Sequence, residues 1–467
     1  MTDYQAFLAS KSVDAPACGL TRIPKLNPSL FPFQADVVRW ALRRGRAAVF
    51  ADTGLGKGWI ALEWLRCVAK HTKRPALLLA PLAVSHQFAR EAAKLGVDAR
   101  VVSDASEVGP GINVTNYHKL PRFDASAFGA VAIDESSILK DYSASTRNAL
   151  IQTFAATPFK LALTATPSPN DHTELGNHAE FLGVMTRAEM LSMFFVHDMD
   201  QTQDWRLKGH AQTRFWQWVA SWAVALRRPS DLGYPDDAYA LPPLHHHQHV
   251  IKADQSQAFA AGMLFAQEAS GLADQRAVRR STLAARVAQC ASVVAASSGP
   301  VVVWCDLNDE GDALEAAIHG AVQVAGSDSD DEKEAALDAF ARGDVRVLIS
   351  KPSICGWGLN WQHAHTVVFC GVTHSFEAYY QAVRRCWRFG QTMPVDVHVV
   401  CSELEGRVVE SLNRKHEQAK TMGNAMVAAM ADITRANIGA TGRTFDAYTP
   451  TTTMTVPQWI RSDEVAA

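Results

Sequence analysis

Apolar and polar positions along the chain fall into a repeated pattern of short apolar runs separated by stretches of helical period. Ala47-Ala48-Val49-Phe50, Ala76-Leu77-Leu78-Leu79-Ala80, Val101-Val102, Ile112-Asn113-Val114, Val131-Ala132-Ile133 and Leu161-Ala162-Leu163 form one series. Val301-Val302-Val303-Trp304-Cys305, Val345-Arg346-Val347-Leu348-Ile349-Ser350 and Thr366-Val367-Val368-Phe369-Cys370 form a second. Uninterrupted apolar runs of this length fit strands buried on both faces, which is how parallel sheets read. Pro32 to Ala41, Trp59 to Lys70, the residues after Ser85 and Ala335 to Ala341 have helical spacing between them. Strand followed by helix, repeated in two series, predicts the α/β class with two parallel-sheet lobes in tandem. The first spans 31–184 and the second 299–402, after an irregular lead-in over 1–30.

Residues 185–298 break this rhythm. Phe194, Phe195, Trp205, Phe215, Trp216, Trp218 and Trp222 predict a mostly helical insert with its own small core, followed by a linker. Phe215, Trp218 and Trp222 share one helical face, so packing is expected ahead of base stacking. Leu241-Pro242-Pro243 leads into His245-His246-His247-Gln248-His249, whose alternation on a strand would split the imidazoles between two faces rather than gather them on a metal. Ala253 to Ser298 is rich in Ala, with Arg276, Arg279, Arg280 and Arg286 expected along a basic helix edge. The segment 403–467 predicts an amphipathic helix from Arg407 to at least Lys420 and a flexible, Thr-rich tail from Gly439.

One loop of the first series carries specific chemistry. Asp52-Thr53-Gly54-Leu55-Gly56-Lys57-Gly58 lies between an apolar run and a helical stretch. In that frame the glycines let successive backbone N–H groups curl around phosphate oxygens, the helix N-terminus adds partial positive charge, and Lys57 reaches the terminal phosphates. Thr53, Gly54, Leu55, Gly56, Lys57 and Gly58 are therefore candidate nucleotide-binding residues. Gln34 precedes the loop, and its carboxamide, donor and acceptor at once, suits the edge of an adenine. Gly58 departs from pattern, because a Ser or Thr hydroxyl ordinarily stands there and ligates the Mg2+ that accompanies the nucleotide. Either a water or Thr53 supplies that ligand, or turnover is weakened while binding survives.

The run Val131-Ala132-Ile133 delivers Asp134 and Glu135 into a loop with Ser136 and Ser137. Two adjacent carboxylates there suit one that holds Mg2+ through water and one that polarises the attacking water, assigned to Asp134 and Glu135 respectively. Leu163-Thr164-Ala165-Thr166-Pro167 ends another strand in hydroxyls. Thr164 and Thr166 either hydrogen-bond the carboxylate loop and relay its state or simply cap the strand. In the second series, Arg385 and Arg388 have helical i, i+3 spacing and so share a face. Presented across a cleft, such a pair neutralises charge developing on a γ-phosphoryl group, worth about 10³ to 10⁵ in rate where an arginine finger operates.

Taken together and in order, Phe31-Pro32-Phe33-Gln34, Thr53-Gly54-Leu55-Gly56-Lys57, Ala80-Pro81-Leu82, Asp134-Glu135-Ser136-Ser137 and Leu163-Thr164-Ala165-Thr166-Pro167 resemble motifs Q, I, Ia, II and III of superfamily-two helicases. Gly356-Trp357-Gly358-Leu359-Asn360 and Gln381-Ala382-Val383-Arg384-Arg385-Cys386-Trp387-Arg388-Phe389-Gly390-Gln391 resemble motifs V and VI. The spelling is nearest to the Swi/Snf-like branch and its phage-encoded relatives. The resemblance implies two tandem RecA-like lobes with ATP and Mg2+ between them. It implies that Arg388 is the arginine finger with Arg385 beside it, while Arg384 falls between the matched positions. Gly358 would touch phosphates, and Gln381 would join Thr164 and Thr166 in coupling the lobes. The implied activity is that of an ATP-dependent DNA helicase or double-stranded DNA translocase, stimulated by nucleic acid and gripping its backbone. An RNA helicase and a catalytically weakened ATP-binding scaffold, the latter motivated by Gly58, are the competing readings.

Composition narrows the setting. A chain of 467 residues, 48% of them hydrophobic, has material for more than one core. Lys and Arg total 45 against 48 for Asp and Glu, a formal net charge of -3, so DNA can only be met by a local basic stripe. Eight scattered cysteines without a Cys-x-x-Cys pair read as thiols of a reducing compartment, not as a disulfide frame or zinc site. No signal pattern and no apolar run of membrane-spanning length stands out, which predicts a cytoplasmic protein without a membrane partner. No motif identifies replication or recombination proteins that would recruit it.

Overall fold

The computed structural model describes residues 14–81, 84–140, 145–168, 171–197, 205–252, 280–355, 359–371, 375–403 and 406–442. The first lobe contains β1 (Arg46–Ala51), β2 (Ala76–Ala80), β3 (Ala99–Val101), β4 (Ile112–Asn116), β5 (Ala130–Asp134) and β6 (Phe159–Thr164). A small antiparallel pair, β7 (Phe195–His197) and β8 (Trp205–Leu207), precedes β9 (Ala223–Leu226). The main sheet is parallel, in the order β3-β4-β2-β5-β6-β1-β9. Every residue of β2, β5 and β6 is buried, which accounts for apolar runs without alternation.

Side chains of β1 divide by parity between two cores. Ala47, Val49 and Ala51 pack with the helices Pro32–Arg44 and Lys57–Thr72 on one face. Ala48 and Phe50 pack on the other face, with Phe215, Trp218 and Trp222 of the helix Gln212–Trp222. In its described residues the region between the lobes mixes helices with β7, β8, β9 and the strand Leu244–Ile251, and these build no core of their own. Its aromatic residues cover the second face of the first sheet, and β9 pairs with β1 as that sheet's edge strand. A helix whose apolar face has a bare sheet beside it buries more area there than among its own neighbours.

The second lobe is a parallel sheet of β10 (Leu244–Ile251), β11 (Val301–Trp304), β12 (Ala321–Val324), β13 (Val347–Ser350), β14 (Thr366–Cys370) and β15 (Val395–Ser402), in the order β10-β15-β14-β11-β13-β12. His245 and His247 both approach Asp396 on β15, at 3.2 and 2.9 Å, while His246 meets the Tyr379 hydroxyl at 3.2 Å. Among the described residues no group of three or more His, Cys, Asp or Glu is placed to hold a metal. Arg286 departs from the expected basic edge. It is fully buried on the helix Leu283–Ala296, pairs with Glu310 at 2.8 Å and donates to Cys370 O at 3.0 Å. Arg276 and Arg279 lie outside the described residues.

The final helix, Gly406–Gly442, leaves β15 and returns to the first lobe. Met426, Val427 and Met430 enter the core beside Trp218 and Trp222, and Arg227 donates to Asn424 Oδ1 at 2.8 Å. The Thr-rich tail beyond Gly442 lies outside the described residues. Seven of the eight cysteines are buried, Cys18 is exposed, and all are free thiols. No described helix is long and apolar enough to cross a membrane.

Candidate active site

In a parallel sheet the loops that follow the strands gather at one edge. The loop from β1 to the helix Lys57–Thr72 turns through Gly54 (φ 90°) and Gly56 (φ 78°), a backbone region that favours glycine. A Cβ on Gly56 would lie 2.2 Å from Gln34 Nε2, and one on Gly54 would lie 2.9 Å from Phe389 N of the other lobe. The Gln34 carboxamide is committed locally. Its Nε2 donates to Leu55 O and its Oε1 accepts from Phe31 N, both at 3.0 Å. One N–H remains for a base edge. Lys57 Nζ donates to Ala51 O at 2.9 Å and Asp52 O at 3.4 Å. Burial lowers its pKa, against the opposing pull of Glu135 and Asp134.

Asp134 ends β5, and Glu135 adopts φ 53°, a left-handed conformation uncommon for a side chain with a Cβ. Burial, with the Glu135 charge added, pushes the Asp134 carboxyl up to about 7, while Lys57 acts the other way. The Tyr117 hydroxyl donates to Asp134 O at 2.5 Å. Glu135 is buried, and its Oε2 has no hydrogen-bond partner. Ser136 Oγ lies 3.1 Å from His178 Nε2, and the His178 ring stands edge-on to Phe50 at 5.2 Å between centroids. Burial pushes His178 down to about 4, so a neutral imidazole supports the carboxylate loop from below. No sequence signal marks His178; it is a single histidine on an apolar helix, Leu175–Leu182.

From the second lobe, Arg385 donates to Gln381 O at 2.9 Å, Gln381 Oε1 at 2.8 Å and Leu359 O at 3.2 Å. Arg388 donates to Leu359 O at 3.0 Å, and its Nε has no partner. Burial, then the neighbouring Arg385 charge, lowers Arg388 to about 9. The helical spacing expected for this pair is not realised, because the helix ends at Val383. A turn presents both guanidiniums instead, and the shared Leu359 carbonyl draws them together. They line one cavity of about 360 Å3 with Gln34, Thr53, Gly54, Gly56, Lys57, Gly58, Asp134 and Glu135. Phe31, Tyr239 and Phe389 border it, with Tyr239 and Phe389 stacked at 4.7 Å. Leu55 is buried beside it, and Gly358 lies outside the described residues.

Arg384, between the matched positions, makes the contacts that sequence reasoning missed. It pairs with Asp52 at 2.8 Å, donates to Thr53 O at 3.0 Å and to Thr53 Oγ1, and lies over the Trp387 ring at 4.9 Å. Tyr380 Oη donates to the same Asp52 oxygen at 2.7 Å. The Thr53 hydroxyl is thereby engaged by Arg384. The hydroxyls at the end of β6 take one local and one cross-lobe partner. Thr164 Oγ1 accepts from Thr166 N at 3.1 Å, and Thr166 Oγ1 donates to Glu377 Oε1 of the second lobe at 3.3 Å. Lys140 forms an ion pair with Glu377 as well. Of the two hydroxyls, that of Thr166 therefore reaches the second lobe and that of Thr164 caps its own strand end.

The buried oxygens of Asp134 and Glu135 suit a hard cation such as Mg2+, which takes one or two carboxylates together with substrate phosphates and water. The orphaned Glu135 Oε2 and Arg388 Nε fit a ligand of mixed charge. A second cavity of about 1010 Å3 shares Glu135 with the first; Arg90, Lys119 and Lys140 from the first lobe and Lys333 from the second stand on its walls among Glu107, Asp331, Glu334, Asp338 and Glu377.

Comparison with known proteins follows this geometry. The chain is 29% identical over 164 residues to the SWI/SNF-related matrix-associated actin-dependent regulator of chromatin subfamily A-like protein 1 of Xenopus tropicalis, and equally to that of Xenopus laevis. The aligned part covers 32% of this chain and 17% of either relative, so the chain spans under a fifth of their length. Among solved structures, the SWI2/SNF2 ATPase core of Sulfolobus solfataricus in complex with dsDNA covers 90% of this chain and 98% of its own, at 16% identity and a TM-score of 0.42. Residues 286–390, the part of the second lobe that bears Arg385 and Arg388, match the family model described as the helicase conserved C-terminal domain.

Proposed function

We propose that this chain is an ATP-driven motor on DNA, a translocase or helicase that hydrolyses ATP between its two lobes. The observation that carries the reading is the single cavity lined by Lys57, Asp134 and Glu135 from one lobe and by Arg385 and Arg388 from the other. Lys57 leaves the carbonyls of Ala51 and Asp52 for the β- and γ-phosphates. Asp134 would hold Mg2+, which would supply neutralisation of the negative charge that develops on the phosphates. Glu135 orients the attacking water, and Arg388, with Arg385 beside it, meets the developing negative charge from the opposite side. Neither lobe has both halves of this set, so turnover is tied to lobe closure.

The phosphate backbone is assigned to individual basic side chains of the larger cavity, Arg90, Lys119, Lys140 and Lys333, which stand there among Glu107, Asp331, Glu334, Asp338 and Glu377; phosphate would displace Asp338 from Arg90 and Glu377 from Lys140. DNA is favoured over RNA by the motif spelling and by the likeness to a chromatin regulator; descent from a phage rests on the spelling alone. Steady-state ATP hydrolysis without nucleic acid and with single-stranded DNA, duplex DNA and RNA tests the reading. Stimulation by DNA that Lys57→Ala abolishes supports it, and hydrolysis unchanged in Lys57→Ala sinks it. Gly58 motivates a second reading, an ATP-binding scaffold with little turnover, for which ATP binds but no nucleic acid raises the rate.

A further inference from the structure

At Gly58 a phosphate loop ordinarily presents a hydroxyl to Mg2+, and Gly58 has none. The space beside it is already taken. A Cβ built on Gly58 would stand 2.9 Å from Glu91 Oε2 and 3.1 Å from Phe88 Cε1, both on the helix Ser85–Lys94. Glu91 is held in that position through its other oxygen. Gln87 Nε2, one helical turn away, donates to Oε1 at 2.8 Å, and Asn360 Nδ2 of the second lobe donates to the same atom at 3.3 Å. With Oε1 so engaged, Oε2 is the atom presented to Gly58.

Three carboxylates, those of Glu91, Asp134 and Glu135, therefore line the cavity that takes the nucleotide. A second observation points to a cation there. Glu135 is 6% exposed, lines the same cavity, and its Oε2 has no hydrogen-bond partner. Lys57 gives its Nζ to the carbonyls of Ala51 and Asp52, and no hydrogen bond from it reaches Glu135. Lys57, Arg385 and Arg388 line the same cavity, and a triphosphate brings enough negative charge to engage them, which leaves the carboxylates to a divalent ion. Among the described residues no three side chains form a metal cage by themselves, which accords with a divalent ion whose remaining ligands come from phosphate and water.

Resting on the nucleotide reading above, we infer that Glu91 replaces the missing loop hydroxyl as the oxygen that holds Mg2+ beside Gly58. The glycine and the glutamate are two halves of one arrangement. A serine at 58 would press its side chain against Glu91 Oε2, and a glutamine at 91 would leave Gly58 without a substitute. Because Asn360 steadies Glu91 from the second lobe, the metal is bound most tightly when the lobes are together.

Mn2+ binding to the full chain, counted by electron paramagnetic resonance with saturating non-hydrolysable ATP analogue, tests the assignment without requiring turnover. Analogue binding in EDTA is measured alongside. Glu91→Gln is expected to weaken Mn2+ by about tenfold or more while leaving analogue binding in EDTA unchanged. The double variant Gly58→Ser with Glu91→Ala is expected to recover most of the loss, because the shortened side chain at 91 leaves the serine room. Wild-type Mn2+ affinity in Glu91→Gln overturns the assignment, and so does a double variant as weak as Glu91→Gln alone. Failure of the wild-type chain to bind the analogue under either condition overturns the nucleotide reading itself, and the assignment with it.

Discussion

Arg384 and Asp52 form an ion pair at 2.8 Å that joins the second lobe to the base of the glycine loop after β1. Burial disfavours both charges. Arg384 and the Tyr380 hydroxyl nonetheless hold the Asp52 carboxyl below its ordinary value, and Asp52 in turn raises Arg384. The pair also sits on Thr53, so the lobe contact and the glycine loop are one structure.

Arg384→Ala leaves buried Asp52 with the Tyr380 hydroxyl and the more distant Arg227, at 3.9 Å, a loss below the roughly 3–5 kcal/mol of a fully unpaired buried charge, which opening of the lobes relieves. Small-angle X-ray scattering of the nucleotide-free variant is therefore expected to give a larger radius of gyration with unchanged helix content by circular dichroism. An unchanged radius contradicts a closing role for the pair.

Glu135→Gln keeps the shape of the carboxylate loop but cannot take a proton. Hydrolysis should fall by about 10² to 10⁴, the range for loss of a general base, while a fluorescent ATP analogue still binds. Undiminished hydrolysis removes Glu135 from water activation.

His178 is held down to about 4 by burial, against 6.5 for the free side chain. Between these values the unfolded chain takes up a proton that the folded chain does not. Its contribution is fully present above pH 6.5 and is lost as pH falls to about 4, up to about 3 kcal/mol. Urea titrations across that window should show a stability slope that His178→Phe flattens. Equal slopes in the two proteins contradict the neutral, buried imidazole.

Trp222 packs against Phe50 of β1 at 6.1 Å and against Trp218 at 5.4 Å. Trp222→Ala is expected to cost the first lobe about 3–5 kcal/mol in denaturant unfolding and to leave the second lobe's transition in place. A first-lobe transition that does not move would mean that this helix is independent of the sheet.

Much of this was readable in the residues. Strands buried on both faces, such as Ala76–Ala80, announce themselves as apolar runs, and the loop from Thr53 to Gly58 needs its glycines wherever it occurs. What escaped reading depends on long-range placement. Phe215, Trp218 and Trp222 show a packed face but not which surface they pack on, and β9 is too short to declare its partner. Arg384 looks like one more basic residue in a cluster until Asp52, 332 positions away, is found against it. Glu91 and His178 carry no local signal, because their partners Gly58 and Ser136 belong to other elements.

The central claim is that the lysine-bearing and arginine-bearing lobes form one catalytic site. Single-turnover ATP hydrolysis by Arg388→Ala in the presence of duplex DNA tests it most directly. The expected result is a rate lower by about 10³ or more, with analogue affinity and lobe stability retained. A rate equal to that of the wild-type chain would mean that Arg388 faces the phosphates without acting on them, and the two-lobe site would be wrong.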